Sequence, residues 1–148
     1  MFWKQVKSTK KALKKLPVSA KVVLVSKDGK VLLLRKSSGI TDLPGGKVED
    51  GEDLYEALER ELLEEVQIEA RKFKFVSSWV KHSASLGDRL VLVFEARVKQ
   101  NAEDIPVRLS EEHCWGRFVD RDDLQDIEDL HPGYANAMLI SLSRHAAR

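Results

Sequence analysis

Two patterns of hydrophobic residues along the chain predict a layered domain of strands and helices. Runs rich in β-branched and aliphatic residues, which favour strands, occupy residues 20–26, 31–35, 73–80, 90–98 and 115–119. In residues 53–66 the apolar positions instead recur every fourth residue, at Leu54, Leu58, Leu62 and Val66. That repeat is typical of a helix with one face on the core. The order strand, strand, helix, strands, helix predicts an α/β or α+β domain.

Turn and capping residues set the boundaries of these elements. Asp28 and Gly29 predict a two-residue hairpin turn between the first two strands, and residues 37–44 are predicted to form a loop. Asp53 is expected to be the N-cap of the helix, with Glu56 completing a capping box. Residues 122–127 predict a brief helical turn. Pro132 suits the first turn of a final helix that runs towards the C-terminus.

Length and composition favour one folded domain. The 148 residues fit a domain of ordinary size, and 43% of them are hydrophobic, enough for a substantial core. We assign residues 17–148 to this domain. Residues 1–16 form a separate segment that contains six lysines. A solvated leader or a short packed helix is the simplest interpretation of that segment, and a patch for a polyanion or a membrane surface is the alternative.

Charge and cysteine content exclude several classes of protein. Lysine and arginine number 25 against 24 acidic residues, which argues against a dedicated nucleic-acid-binding protein. A single cysteine, Cys114, excludes an intrachain disulfide and favours a reducing compartment. Because no apolar run is long enough for a membrane span or a signal peptide, we expect a cytoplasmic protein without a membrane partner.

The chemistry-bearing stretch is residues 43–68, LPGGKVEDGEDLYEALERELLEEVQI. Glu61, Glu64 and Glu65 stand at helical spacings of three and four, so they share one side of the predicted helix. Like charges at this spacing repel, and the edge of the group overlaps the apolar stripe, where an unpaired carboxylate is costly. A bound divalent cation would relieve both costs. Oxygen ligands of this kind suit Mg²⁺ or Mn²⁺.

The residues before and within this helix support the same interpretation. Gly45 and Gly46 allow the backbone to approach a ligand closely and to offer carbonyls to a metal or amides to a phosphate. The planar guanidinium group of Arg60 can bind a carboxylate through two hydrogen bonds, and Glu52 is the candidate partner. A glutamate-rich helix by itself more often presents an ordinary solvent-exposed face. Only the glycines, Glu52, Arg60 and the three glutamates together indicate a metal site.

That combination resembles the signature of the Nudix hydrolase family. Gly46 is followed after five residues by Glu52, and after seven more by Arg60, Glu61, Leu62, Leu63, Glu64 and Glu65, with Ile68 beyond. The resemblance implies a single-domain α/β/α sandwich around a mixed β-sheet. It also implies hydrolysis of a pyrophosphate bond in a nucleotide derivative by metal-activated water.

The resemblance assigns a role to each matching residue. Glu61, Glu64, Glu65 and the carbonyl of Gly45 would hold Mg²⁺ or Mn²⁺, and Glu61 and Glu64 would also act in catalysis. Arg60 and Glu52 would orient the site, and Gly46 would lie against the substrate. The cofactor is therefore expected to be a divalent ion, and the partner a small nucleotide.

Outside the signature, Glu112 is our candidate for a further catalytic glutamate, with Glu111 as its alternate. A solvated acidic turn is the competing interpretation. Basic residues that could contact phosphates are Arg35, Lys36, Lys81 and Arg89. The substrate stays open: a nucleoside triphosphate is favoured, and a nucleoside diphosphate sugar, a dinucleoside polyphosphate or an RNA 5′ end are alternatives. A homodimer also stays open.

Gln67 is the one departure from the family pattern, which has glycine at this position. A glycine after a helix usually supplies a left-handed turn, and another residue there costs roughly 1–2 kcal/mol. We therefore expect a changed loop geometry after the helix. Gln67 is also the only feature that favours a different class of function, a catalytically silent Nudix-fold module that binds a nucleotide or a protein.

Overall fold

The computed structural model describes residues 15–146 of the chain. Its strands are β1 (Val18–Val25), β2 (Val31–Lys36), β3 (Thr41–Asp42), β4 (Gly45–Lys47), β5 (Lys74–Lys81), β6 (Arg89–Arg97) and β7 (His113–Val119). Its α-helices are α1 (Leu54–Val66) and α2 (Pro132–Ala146), and short 3₁₀ turns cover Ala102–Asp104 and Asp122–Asp126. The predicted lysine-rich segment, apart from its last two residues, lies outside the described residues.

The seven strands form one mixed sheet that lies between the two helices. The strand order is β3-β2-β1-β6-β5, while β4 also pairs with β1 and β7 with β2. β1 and β6 run parallel over their whole length, and the other pairs are antiparallel. The expected single-domain α/β/α sandwich is thus confirmed. Within the described residues, neither helix is both long and apolar enough to cross a membrane.

Alternating side chains of β1 contribute to a separate core on each face of the sheet. Val22 and Leu24 pack with Leu58 and Leu62 of α1 in one cluster. Val23 and Val25 pack in the other cluster with residues of α2 that include Met138. The run of aliphatic residues in β1 is therefore explained by burial on both sides, as in other strands covered by helices on both faces.

The sheet opens between β1 and β2. These strands are paired only beside their connecting turn, at Val25 and Val31. Further along, β1 pairs with β4 and β2 pairs with β3. The two short strands and the two residues between them, Leu43 and Pro44, therefore lie where β1 and β2 separate. This opening places the glycines of β4 beside helix α1 and positions the candidate site.

Two predicted details of the connections are wrong. The β1–β2 turn is a three-residue loop, because Ser26 pairs with Lys30 through a 2.8 Å hydrogen bond from Ser26 N to Lys30 O. Gly29, at φ 78°, takes the left-handed conformation that such a loop needs. Residues 37–44 are also not all loop, since Thr41 and Asp42 form β3 on the edge of β2.

Helix α1 begins and ends at the predicted residues, but the turn that follows it differs from the expectation. At its start the Glu56 amide donates to Asp53 Oδ1 (2.8 Å) and the Asp53 amide donates to Glu56 Oε2 (3.3 Å), which confirms the capping box. At its end Gln67 itself adopts the left-handed conformation, with φ 56° and ψ 39°. The amides of Gln67 and Ile68 donate to the carbonyls of Leu63 and Leu62. The expected change of loop geometry is therefore wrong: the turn typical of glycine is kept, on a residue strained to make it.

Candidate active site

A polar cavity of about 750 Å³ opens where the sheet separates. Its volume lies in the range typical of small-molecule sites. The wall on the side of α1 and β4 is acidic and glycine-rich. Basic side chains from β2, β5 and β6 also line the cavity and are called the basic wall. Predicted site residues that line the cavity are Gly45, Gly46, Arg60, Glu61, Glu64, Glu65, Glu111 and Glu112.

Glu65 is the buried carboxylate of this cavity. Only 5% of the residue is exposed. Its Oε1 accepts a 2.9 Å hydrogen bond from the Gly45 amide, and its Oε2 lies 3.3 Å from His113 Nε2. Burial raises the pKa of Glu65 to about 8, although the Gly45 amide and the Lys21 ammonium group act in the opposite direction. A carboxyl group held in this way gains strongly from a neighbouring positive charge.

Arg60 connects the remaining carboxylates of the signature. Its Nε and Nη2 donate to the two oxygens of Glu52 at 2.6 and 3.0 Å, the two-pronged geometry expected from the sequence. Its Nη1 donates to Glu61 Oε1 at 3.0 Å and to Glu64 Oε2 at 3.2 Å. The Arg60 hydrogen bond lowers the pKa of Glu52 to about 2, and the Glu52 hydrogen bond raises the pKa of Arg60 above its usual range. Arg60 and Glu52 thus hold each other in one orientation beside the acidic wall.

Glycine at the two positions of the β4 bend leaves room for different neighbours. Gly45 has φ 132°, and a side-chain carbon there would collide with the backbone of Ala20 and Lys21 on β1. A side-chain carbon at Gly46 would lie only 2.5 Å from Glu61 Oε1 and 2.9 Å from its carboxyl carbon. The bend therefore lies directly against β1 on one side and against helix α1 on the other.

Lys21 is a buried cation behind this bend. Its Nζ donates to Asp42 Oδ2 (3.0 Å), to the Leu43 carbonyl (3.3 Å) and to the Gly45 carbonyl (3.2 Å). The side chains of Lys21 and Asp42 are only 9% and 8% exposed. The pair braces the segment from β3 to β4 against β1, because it joins three parts of the chain by hydrogen bonds that water does not replace.

The loop before β7 closes the cavity over Glu65. The Ser110 amide donates to the Glu65 carbonyl (3.0 Å), which fixes the loop on the end of α1. The His113 side chain is 1% exposed, and burial lowers its pKa, so it is neutral near pH 7. Glu111 and Glu112 line the cavity. The structure therefore brings both candidate glutamates to the site, and it adds His113 as the buried neighbour of Glu65.

The basic wall contains three of the four proposed phosphate-contacting residues. Lys36, Lys81 and Arg89 line the cavity, and Lys36 Nζ also lies 3.6 Å from Asp42 Oδ2. Arg35 does not belong to the residues that line it. Its guanidinium donates to Thr41 Oγ1 (3.2 Å) and lies 5.4 Å from the ring centre of Trp115. The alternation of side chains along β2 thus places Lys36, and not Arg35, at the cavity.

The acidic wall offers oxygen atoms that suit a divalent cation. Carboxylates and a backbone carbonyl are the oxygen ligands that Mg²⁺ and Mn²⁺ prefer. The raised pKa of Glu65 shows that burial disfavours the negative charge of its carboxylate, a charge that a bound cation would offset. In the described part of the chain, however, no three His, Cys, Asp or Glu side chains converge in an arrangement that could hold a metal. Arg60 donates hydrogen bonds to both Glu61 and Glu64. The donor chemistry fits, provided that these two side chains leave Arg60, which keeps Glu52 as its partner.

Among the residues that hold the site together, the sequence interpretation missed Lys21, Asp42 and His113. Lys21 had a signal that could have found it, because it is a charged residue within an apolar strand, AKVVLV. A lysine at such a buried position needs an acidic partner. Asp42 and His113 had no comparable signal. Their roles depend on contacts with residues 21 and 48 positions away along the chain.

Known proteins share sequence and fold with this chain. The family model described as the NUDIX domain matches residues 15–139. The CTP pyrophosphohydrolase of Escherichia coli (strain K12) is 36% identical over 73 residues, which cover 46% of this chain and 52% of that protein. The chain therefore matches about half the length of this curated relative.

Solved structures share the fold over almost the whole chain. A MutT protein from Methanosarcina mazei Go1 superimposes with a TM-score of 0.75 at 26% identity and covers 93% of this chain and 100% of its own. An Ap4A hydrolase from C. elegans, solved as a binary complex, gives a TM-score of 0.75 at 22% identity, with 90% and 100% covered. At this lower identity the second likeness concerns the fold alone.

Proposed function

Because the chain belongs to the Nudix family, we propose that it hydrolyses a pyrophosphate bond in a nucleotide derivative with the help of Mg²⁺ or Mn²⁺. The observation that carries this proposal is the placement of Glu65. A carboxyl group that is 5% exposed, lines an open polar cavity and lies beside the Glu61 carboxyl group is costly to ionise unless a cation compensates its charge.

The carboxylates of Glu61, Glu64 and Glu65 are proposed to hold the metal, and the family resemblance adds the carbonyl of Gly45 as a fourth candidate ligand. When bound, a divalent ion would lower the pKa of a water molecule and offset charge that develops on the phosphate oxygens. Arg60 holds Glu61 and Glu64 beside the cavity, and its two hydrogen bonds to Glu52 would keep it in place if those two carboxylates bound an ion. Gly46 leaves room for the Glu61 carboxylate, since any side chain there would displace it.

Proton transfer is assigned to the loop before β7. Glu112, with Glu111 as its alternate, lies on the cavity wall and is proposed to accept the proton of the attacking water. Both side chains are exposed, so they can move into position and exchange the proton with solvent. The hydrogen bond from the Ser110 amide to the Glu65 carbonyl, at the end of α1, holds the base of this loop in place.

The basic wall is proposed to bind the substrate phosphates. Lys36, Lys81 and Arg89 line the same cavity as the acidic residues, and ammonium and guanidinium groups bind phosphate oxygens strongly. A nucleoside triphosphate is the favoured substrate. The CTP pyrophosphohydrolase similarity supports this class, although that match covers only half of the relative. Gln67 keeps the family turn, so it no longer supports a silent module.

A panel of nucleotides with and without Mg²⁺ tests the proposal. Nucleoside triphosphates, diphosphate sugars and dinucleoside polyphosphates are incubated with the protein, and products are separated by ion-exchange chromatography. Glu61→Gln and Glu65→Gln are expected to lose more than about a hundredfold in rate, since even outer-shell partners of a metal contribute about ten- to a hundredfold. Glu59→Gln is the matched control, an exposed glutamate on α1 that does not line the cavity.

Two outcomes would overturn the assignment. The first is no metal-dependent hydrolysis of any compound by the wild-type protein. The second is wild-type turnover in the Glu61 or Glu65 variant.

A cytoplasmic location is proposed on the basis of one exposed free cysteine, Cys114.

A further inference from the structure

The Lys21 ammonium group occupies an oxygen cage of the kind that binds cations. Its three N–H groups can make three hydrogen bonds, and it makes three, to Asp42 Oδ2 and to the carbonyls of Leu43 and Gly45 at 3.0–3.3 Å. A carboxylate with two backbone carbonyls is also a typical set of ligands for hard divalent cations. In this chain a side-chain cation already lies there.

The position of Lys21 follows from the sheet. Lys21 on β1 is paired directly with Gly45 on β4, so its side chain leaves the strand beside the carbonyl that the family resemblance assigns to a metal. β3 supplies Asp42 from the other side of the opening. Because the Lys21 side chain is 9% exposed and the Asp42 side chain 8%, their charges are poorly screened by solvent.

A divalent ion on the Gly45 carbonyl would come close to this ammonium group. Mg²⁺ binds oxygen ligands at about 2.0–2.1 Å, and Lys21 Nζ lies 3.2 Å from the Gly45 carbonyl oxygen. Two cations a few ångströms apart in a partly buried pocket repel strongly. Either Lys21 leaves its three partners or the metal does not use this carbonyl.

We propose that Lys21 is a built-in cation that replaces a divalent ion at the cage of Asp42, Leu43 and Gly45, so that metal binding is confined to Glu61, Glu64 and Glu65. The inference rests on the proposed metal-dependent function and makes it more specific. Lys21 is a positioning residue: it fixes the β3–β4 segment and limits how many ions the cavity holds.

The number of bound ions tests the inference without any measurement of activity. Mn²⁺ is titrated into the nucleotide-free full-length protein, and free Mn²⁺ is counted by electron paramagnetic resonance. Lys21→Met and Lys21→Gln are expected to bind one additional Mn²⁺ per chain, or to bind Mn²⁺ at least tenfold more tightly. Gln keeps a donor for Asp42 and serves if the Met variant does not fold, which circular dichroism detects.

Lys36→Met is the matched control, because it removes the same charge from the same cavity. Lys36 is 44% exposed on its side chain and 3.6 Å from Asp42, and it makes no described hydrogen bond to the Gly45 carbonyl. We expect unchanged Mn²⁺ stoichiometry and less than a threefold change in affinity. An equal gain in the Lys36 and Lys21 variants would show that net charge alone matters, and it would overturn the inference.

Wild-type protein provides a second measurement that needs no variant. In a crystal soaked with Mn²⁺, anomalous scattering is expected near Glu61, Glu64 and Glu65 and absent at the Gly45 carbonyl. A manganese ion bonded to that carbonyl, or folded Lys21 variants with wild-type Mn²⁺ binding, would overturn this inference alone. No Mn²⁺ binding by any of the proteins, together with no hydrolysis in the nucleotide panel, would overturn the proposed function as well.

Discussion

Gln67 at the end of α1 offers a direct test of stored backbone strain. The residue holds φ 56° and ψ 39°, a left-handed conformation that costs a residue with a side chain roughly 1–2 kcal/mol. Its side chain is exposed, so Gln67→Gly removes little packing. The glycine variant loses about 0.4–1 kcal/mol of stability, because glycine gives the unfolded chain greater conformational freedom. The net expectation is a stabilisation of about 1 kcal/mol.

For a protein of this size, 1 kcal/mol corresponds to a rise in Tm of about 2–4 °C. The assay is urea unfolding followed by circular dichroism, with the Tm as a second readout. Gln67→Ala is the matched control: it also shortens the side chain but keeps the Cβ atom that causes the strain, and it should lie within about 0.5 kcal/mol of wild type. The capping bonds from the amides of residues 67 and 68 are unchanged in both variants.

A neutral or destabilising effect of Gln67→Gly would refute the argument, because the strain would then not exist. Equal stabilisation by Gly and Ala would also refute it, since the gain would then come from loss of the side chain and not from relief of the left-handed backbone. Hydrolysis by Gln67→Gly is expected to equal that of wild type, because the turn already has the geometry that glycine would give.

Three further changes test the candidate site. Burial raises the pKa of Glu65 from 4.5 to about 8, so the folded state binds this proton more tightly than the unfolded state, and stability decreases as the pH rises through that range. Glu65→Gln should therefore stabilise the metal-free protein at pH 8, by about 1.4 kcal/mol per pKa unit and a few kcal/mol at most, and it should have little effect at pH 4.5. Urea unfolding measures both effects, and equal effects at the two pH values would contradict this reasoning. Arg60→Lys keeps the charge but loses the fork to Glu52, so the pKa of Glu52, now about 2, should rise towards its ordinary value in a carbon-13 NMR titration; an unchanged titration would contradict that pairing. Gly46→Ala places a carbon 2.5 Å from Glu61 Oε1, and because the end of that side chain can move, we expect at least a tenfold loss of kcat with a folded protein; full activity would show that the position of Glu61 is not critical.

Helix α1 shows how much of the fold was predictable. The repeat of Leu58, Leu62 and Val66 and the capping box of Asp53 and Glu56 both involve residues within four positions of each other. Their geometry is set by the helix itself. The sequence therefore predicted the start of the helix and its buried face, both of which the structure confirms.

Predictions about the connections were weaker, because they depend on single backbone torsions. Asp28 and Gly29 correctly indicated a turn, but pairing of Ser26 with Lys30 makes it one residue longer. Gln67 was expected to change the loop after α1. Its neighbours instead force the left-handed conformation, since the amides of residues 67 and 68 both find acceptors on the helix there.

By itself the sequence determined the family, the acidic helix and the pairing of Arg60 with Glu52, because these follow from fixed spacings within about twenty residues. Only the tertiary structure decided which charges meet across the sheet. Lys21 lies beside Gly45, His113 beside Glu65, and Arg35 away from the cavity. The physical reason is that strand register and the opening between β1 and β2 bring distant side chains together, and no local pattern of residues encodes those distances.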